Sequence, residues 1–163
     1  MDEADTTNTP AVTVWLEAWQ CECCGEPFAI GSRVSWTVWE AAAADLEEIM
    51  GAERAASVHY VEERHTQAAD HLHIVRGTVS AIEVVHCRDA PGAGGNPNAY
   101  SPVPGTATFT PVASSREGTE SVAGGPLFQG YLVVLGGVEY GPPAPGRLRT
   151  WLSTLRSAVR PRT

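Results

Sequence analysis

The sequence has no lysine, because all eleven of its basic residues are arginine. This absence excludes the P-loop of nucleotide-binding proteins, whose lysine must reach the β- and γ-phosphates. It also excludes a Schiff base with a carbonyl substrate or pyridoxal phosphate, and a nucleophilic serine activated by lysine. Composition alone therefore removes several common enzyme classes.

Other signals are missing as well. No run of about 18 apolar residues occurs, so the sequence predicts no transmembrane helix. The first ten residues are polar and acidic, without the basic and apolar regions of a secretory signal. We therefore expect a cytoplasmic protein whose four cysteines are reduced thiols or metal ligands. The Gly-x-Ser-x-Gly motif of serine hydrolases and the His-Glu-x-x-His motif of zinc proteases are also absent.

Charge is unevenly distributed along the chain. The formal net charge is −8, and fourteen of the nineteen acidic residues lie in the first 70 positions. An acidic body of this kind repels phosphate, which argues against general nucleic-acid binding. The stretch from Arg147 to Arg162 instead carries five arginines and no acid.

Strand-like patterns dominate the middle of the chain. Apolar and polar residues alternate, or β-branched residues cluster, in five segments: Val12–Gln20, Gly31–Trp39, His71–Arg88 with a bulge or bend expected at Gly77, Thr106–Ser114 and Gly130–Val138. Residues 40–54 suit a short helix ending at Gly51, and residues 52–65 are ambiguous between helix and strand. The sequence therefore predicts a mainly β fold, a small SH3-like barrel of five to six strands. An OB-like barrel is the alternative.

The predicted organisation is one domain followed by a helix. Residues 1–10 are expected to be disordered, 11–139 to form the barrel with mobile loops at 90–105 and 116–127, and 140–146 to be a Pro/Gly linker. Residues 147–160 carry apolar side chains at helical spacing with arginines on the other side, which predicts a basic amphipathic helix. We expect this helix to dock on the acidic body or to bind an anionic partner.

Cys21-x-x-Cys24 has the spacing of a zinc knuckle, in which two thiolates flank a tight turn. A structural zinc needs four ligands, and no second pair of this form exists. The remaining candidates are Cys87, His71 and His73. In a simpler interpretation Cys23 and Cys24 are buried beside the turn, and the protein needs no cofactor. A redox pair is a third interpretation, although such pairs normally start a helix.

Histidines and acidic residues form a second cluster between positions 59 and 73. Its members are His59, Glu62, Glu63, His65, Asp70, His71 and His73. Imidazoles and carboxylates together are typical of metal or acid–base sites, so a metal-dependent enzyme is one hypothesis. A solvated polar connection is the simpler interpretation, because spacing alone fixes no geometry.

Four of the five tryptophans lie in the first two predicted strands, at Trp15, Trp19, Trp36 and Trp39. Trp36 has the parity of the core, whereas Trp19 and Trp39 lie on the opposite face and are candidates for an aromatic binding surface. No complete catalytic constellation accompanies them. The sequence therefore favours a non-catalytic binding or regulatory module over an enzyme, its partner being an unidentified protein or small molecule.

Three stretches, residues 14–20, 23–28 and 31–36, resemble an uncharacterised family of actinobacterial proteins that is classed only as a domain of unknown function. They contain the motif Trp-Gln-x-x-Cys-Cys-Gly-x-Pro-Phe, and the resemblance continues through residues 62–65 and 77–79 to about Leu135. The resemblance implies no activity. It does imply that the pair Cys23-Cys24 is typical and that a cysteine in place of Cys21 is not, which argues against the zinc knuckle.

Overall fold

The computed structural model describes residues 9–65, 72–92, 96 and 98–142. In this part of the chain the fold is mainly β, with three short helices. In chain order the elements are β1 (Val12–Glu17), α1 (Ala18–Cys24), β2 (Arg33–Glu40), α2 (Ala43–Met50), α3 (Ala52–Ala56), β3 (Tyr60–Glu62), β4 (His73–Cys87), β5 (Asp89–Pro91), β6 (Tyr100–Pro102), β7 (Thr108–Pro111) and β8 (Leu127–Gly141).

Five strands close into a barrel, which confirms the predicted small β-barrel. The hydrogen-bonded order is β2-β3-β1-β8-β4, and β4 pairs back onto β2 to complete the circle. Closure leaves the five strands without free edges. β7 adds a sixth strand beside β4, and β5 pairs with β6 in a separate two-stranded sheet. Whether the barrel is of the SH3-like type stays a prediction.

The core has two parts, one inside the barrel and one outside it. β1 contributes to both, because Val14 and Leu16 point inward whereas Trp15 points outward. The inner part includes Val38, Val75, Val133 and Leu135, none of which is exposed. α2 and α3 cover the outer part, which contains Leu46, Met50, Ala55, Val58 and Leu132 around Trp15. Because α2 and α3 cover the outside of β1, the large apolar side chain of Trp15 is buried there although it points out of the barrel.

The two longest strands, β4 and β8, form the main antiparallel pair of the barrel. β4 begins beside β2 and ends beside β7, so it must bend along its length. Its register shifts between Arg76 and Thr78, where a Cβ added to Gly77 would lie 3.1 Å from the carbonyl oxygen of Gly136. The predicted irregularity at Gly77 is therefore confirmed.

The predicted strand Val12–Gln20 is too long. β1 ends at Glu17 and α1 begins at Ala18, so Cys21–Cys24 belong to a helix instead of the predicted tight turn. Gln20 explains the difference, because its side chain is buried and hydrogen-bonded to the segment after β3. That contact spans more than 40 residues, and local alternation cannot encode it.

The predicted helices and the ambiguous stretch between them have different outcomes. The predicted helix over 40–54 is two short helices separated by Gly51, whose φ is 79° and whose N–H donates to the carbonyl of Glu47. The ambiguous stretch 52–65 contains both α3 and β3. The helix predicted at 147–160 lies outside the described residues, as does most of the predicted linker. No helix in the described part has the length and apolar character to span a membrane.

Candidate metal site

Two segments meet at one end of the barrel because β1 and β3 are parallel neighbours. Parallel strands have their carboxyl ends at the same edge of a sheet, so α1 and the residues after β3 start side by side. α1 supplies Cys23 and Cys24, and the segment after β3 supplies His65. Their ligand atoms all lie within 4.8 Å of one another.

All three side chains are exposed. The two Sγ atoms are 2.6 Å apart, and Nε2 of His65 lies 3.3 Å from Cys23 Sγ and 3.7 Å from Cys24 Sγ. Thiolate sulfur and imidazole nitrogen are the ligands that zinc prefers in proteins. In the described part of the chain, no other group of three or more histidine, cysteine, aspartate or glutamate side chains lies close enough together to hold a metal ion.

Gln20 holds the two segments together. Its amide nitrogen donates to the carbonyl of Glu62 at 3.3 Å, and its amide oxygen accepts from the backbone N–H of Arg64 at 3.0 Å. The side chain is almost fully buried. Because Gln20 lies one turn before Cys23 and Cys24, it fixes the separation between the thiols and His65.

His65 itself is held from two sides. The indole ring of Trp19 stacks on the imidazole with a centroid distance of 5.0 Å and an angle of 20° between the planes. The backbone N–H of His65 donates to a carboxylate oxygen of Glu63 at 2.6 Å. The stacking on Trp19 orients the imidazole, and the hydrogen bond to Glu63 fixes the backbone that carries it.

A largely buried ion pair joins the two residues that lie on either side of Glu63. Nε and Nη2 of Arg64 each donate to a carboxylate oxygen of Glu62 at 2.9 Å. Burial raises the pKa of Glu62, and the hydrogen bonds and charge of Arg64 oppose that rise. A Cβ on Gly25 would lie 2.7 Å from Nη1 of Arg64 and 2.9 Å from the carbonyl oxygen of Cys21. Gly25 is therefore required for this close approach.

A cavity of about 510 Å³ opens beside the site. It is lined by Cys24, Glu26, Pro27, Phe28, Ser32, Arg33, Val34, Ser35, Trp36, Glu62 and Arg64. A smaller cavity of about 140 Å³ shares residues 26–28 and Arg64 with the larger one. Arg64 therefore lines both cavities.

The pKa values of two thiols, Cys21 and Cys23, are raised for different reasons. Burial raises the pKa of Cys21 to about 12, and the negative charge of Glu62 contributes to the rise. Cys21 is therefore a protonated thiol at neutral pH. The hydrogen bond with Cys24 raises the pKa of Cys23. A metal ion held by Cys23 and Cys24 would oppose this rise, because coordination removes the proton from a thiol.

The structure distributes the predicted metal ligands over several places. Cys24 belongs to the group with Cys23 and His65, whereas Cys21 is half-buried in α1 and outside that group. Cys87 is fully buried at the end of β4, where its Sγ lies 3.2 Å from the hydroxyl of Thr106. His73 packs edge-on against Tyr60, and His71 lies outside the described residues. The interpretation of Cys23 and Cys24 as buried is wrong, because both are exposed.

The histidine cluster is also dispersed. Nδ1 of His59 accepts from the backbone N–H of Thr13 at 3.0 Å, and Glu62 is occupied by Arg64. Among the described members, His65 is the one that joins the cysteines. Cys23 is a candidate ligand that the predicted set did not contain, although its place beside Cys24 in the resembled motif was the available signal.

The tryptophans separate into three environments. Trp36 belongs to the inner core and Trp15 to the outer core. Trp39, a predicted surface residue, is half-buried against the outer core, whereas Trp19 is 53% exposed. Trp19 is therefore the predicted binding residue that lies at the candidate metal site.

Comparisons with known proteins complete the description. A search of curated proteins and a search of solved structures each found no significant match. The model of a family of unknown function, DUF6578, matches residues 10–137, which include the whole barrel up to the last residues of β8. The resemblance to a domain of unknown function is thereby confirmed, and the chain belongs to the DUF6578 family.

Proposed function

We propose that this chain is a non-catalytic binding module that holds a zinc ion with Cys23, Cys24 and His65. Three possible ligand atoms, from segments 41 residues apart in the chain, lie within 4.8 Å of one another, and this proximity is the main support for the proposal. Supporting contacts from Gln20, Trp19 and Glu63 hold these segments in place.

The chemistry of the ligands selects the ion. Two thiolates and an imidazole favour zinc or another thiophilic ion, whereas magnesium and calcium require oxygen ligands. The two thiols are free. Zinc–sulfur bonds of about 2.3 Å at a tetrahedral angle place the sulfurs about 3.8 Å apart. Zinc would therefore draw the Sγ atoms of Cys23 and Cys24 apart by about 1 Å, a change that rotation of exposed side chains allows.

Because the site is exposed, we favour a zinc ion that takes part in ligand binding over one that only stabilises the fold. A structural zinc normally has four protein ligands, whereas three ligands leave a coordination position open. The inside of the barrel is also filled by one hydrophobic cluster, so the fold has a core that does not depend on a metal ion. The proposal therefore places zinc at the binding surface, next to the exposed ring of Trp19.

Elemental analysis of protein purified without chelator tests this proposal. We expect one zinc per chain, reduced at least tenfold in Cys23→Ser, Cys24→Ser and His65→Gln. Cys87→Ala and Cys21→Ala are the controls and should retain the metal. Sub-stoichiometric zinc in the unmodified protein contradicts the proposal. Loss of zinc in Cys87→Ala with retention in Cys23→Ser contradicts this choice of ligands.

A further inference from the structure

The cavity of about 510 Å³ adjoins the candidate metal site, since Cys24 belongs to both. The proposed function leaves this cavity without a role. A zinc ion with three protein ligands has room for a fourth. A ligand that enters from the cavity could therefore reach the metal as well as the cavity wall.

Arg64 supplies the second point of attachment. Its Nε and Nη2 atoms are held by Glu62, which fixes the plane of the guanidinium. In the described part of the chain no hydrogen-bond acceptor is recorded for Nη1, which lies against Gly25, the residue after Cys24. Nη1 is thus a preoriented donor on an arginine that lines the cavity.

We propose that the cavity binds a small organic carboxylate. One carboxylate oxygen takes the open position on the metal, and the other accepts a hydrogen bond from Nη1 of Arg64. This proposal rests on the proposed zinc site. Guanidinium and carboxylate match in planarity and charge, which makes arginine the usual partner for this group.

The lining of the cavity describes the rest of the ligand. Its volume exceeds what a two-carbon acid fills, so the ligand carries a larger body. Trp36 and Phe28 give apolar contact and pack edge to face at 5.2 Å, while Ser32 and Ser35 provide hydroxyl groups. Such a mixture of apolar surface and a few polar groups is typical of small-molecule sites.

Cobalt(II)-loaded protein makes the open position visible, because its absorption spectrum depends on the number and kind of ligands. Acetate is the probe. We expect a saturable spectral change with a dissociation constant on the order of 1 mM, the affinity that so small a ligand can reach. Sodium perchlorate at the same ionic strength separates specific binding from screening, because perchlorate coordinates metal ions weakly.

Three variants test whether Arg64 is the second point of attachment for the carboxylate. Glu62→Gln combined with Arg64→Gln removes the donor without leaving a buried charge unpaired. Arg64→Lys keeps the ion pair and removes the planar fork, and it serves if the double variant does not fold. Both should bind cobalt normally and acetate at least fivefold more weakly. Arg88→Gln removes one exposed arginine at the end of β4 and should change neither.

The outcomes distinguish the two proposals. Failure of cobalt to bind overturns the metal site and this inference with it. Cobalt binding without any acetate response up to 100-fold above the expected constant overturns the carboxylate site and leaves the metal site standing. An acetate response that is equal in Arg64→Lys and the unmodified protein likewise overturns the role of Arg64.

Discussion

At the scale of single residues, the four cysteines of this chain have different environments. Cys23 and Cys24 are exposed, whereas Cys21 is half-buried and Cys87 fully buried. Within the described residues, the exposed pair is the one that forms a cluster with a histidine, His65. Cys21 lies outside the group of Cys23, Cys24 and His65, so the ligand atoms that converge are not the Cys21–Cys24 pair of the predicted knuckle.

Alkylation rates should reveal this difference. With a pKa of about 12 instead of 9.0, Cys21 has about a thousandfold less thiolate at pH 8 than an ordinary cysteine. We therefore expect iodoacetamide to modify Cys23 and Cys24 long before Cys21, as followed by peptide mass spectrometry. All four should react alike in urea. Alkylation of Cys21 in the folded protein at the rate of the exposed pair would contradict this account.

Gly130 is a second residue whose identity the fold requires. Its φ is 151°, and an added Cβ would lie 2.1 Å from the carbonyl oxygen of Leu16 and 2.8 Å from the ring of Trp15. β1 and β8 must therefore separate to accept a side chain. We expect Gly130→Ala to lower the free energy of unfolding by about 3 kcal/mol or more.

Gly136 in the same strand provides the matched control for that substitution. A Cβ there would have no neighbour within 4 Å. Gly136→Ala should leave the urea midpoint nearly unchanged. Equal midpoints for the two variants would show that the close approach of β1 and β8 at Gly130 is not required.

At the scale of elements, α1 depends on one side chain. α1 has seven residues and no side-chain cap at its start, and so short a helix is not stable alone. The hydrogen bonds of Gln20 attach it to the segment that carries His65. The position of the exposed thiols therefore depends on a buried amide.

Substitution of Gln20 should affect stability and metal binding together. Gln20→Leu leaves a buried carbonyl and a backbone N–H unpaired, which costs about 1–3 kcal/mol. It should also weaken zinc binding about tenfold or more, as loss of supporting contacts does at other metal sites. A zinc competition titration and urea unfolding measure the two effects. Glu22→Ala, exposed in the same helix, should change neither. Unchanged zinc affinity in folded Gln20→Leu would contradict the role of Gln20.

The elements also show what the sequence could and could not predict. β4, β8 and α2 follow directly from local patterns, because alternation, β-branched residues and Gly51 act within a few positions. α1 could not be predicted, since Gln20 is buried by a segment more than 40 residues away. The spacing Cys21-x-x-Cys24 predicts Cys24 as a metal ligand. The spacing does not predict His65, which lies beside Cys23 and Cys24 only because β1 and β3 pair in parallel.

At the scale of the whole molecule, the buried titratable groups make stability depend on alkaline pH. Burial raises the pKa of both Cys21 and Tyr131 to about 12, from ordinary values of 9.0 and 10.0. The folded state therefore holds these protons more tightly than the unfolded state does. Their contribution is complete below pH 9 and is lost as the pH rises towards 12.

We accordingly expect Tm to fall steeply between pH 10 and pH 12. The hydroxyl of Tyr131 lies 2.9 Å from the backbone carbonyl oxygen of Ser115 and 3.0 Å from that of Glu117, and ionisation removes the one proton that it can donate to them. Tyr131→Phe should be less stable at pH 8 and should lose less stability between pH 10 and 12. Thermal unfolding followed by circular dichroism at each pH measures this. Parallel curves for the two proteins would contradict the role of Tyr131.

We propose that the parallel pairing of β1 with β3 brings Cys23, Cys24 and His65 together as ligands of one zinc ion. X-ray absorption at the zinc edge of the loaded protein tests this proposal, because the spectrum counts ligands by element. We expect two sulfurs at about 2.3 Å and one or two nitrogens or oxygens at about 2.0–2.2 Å. One sulfur, or a shell of oxygen and nitrogen alone, would contradict it.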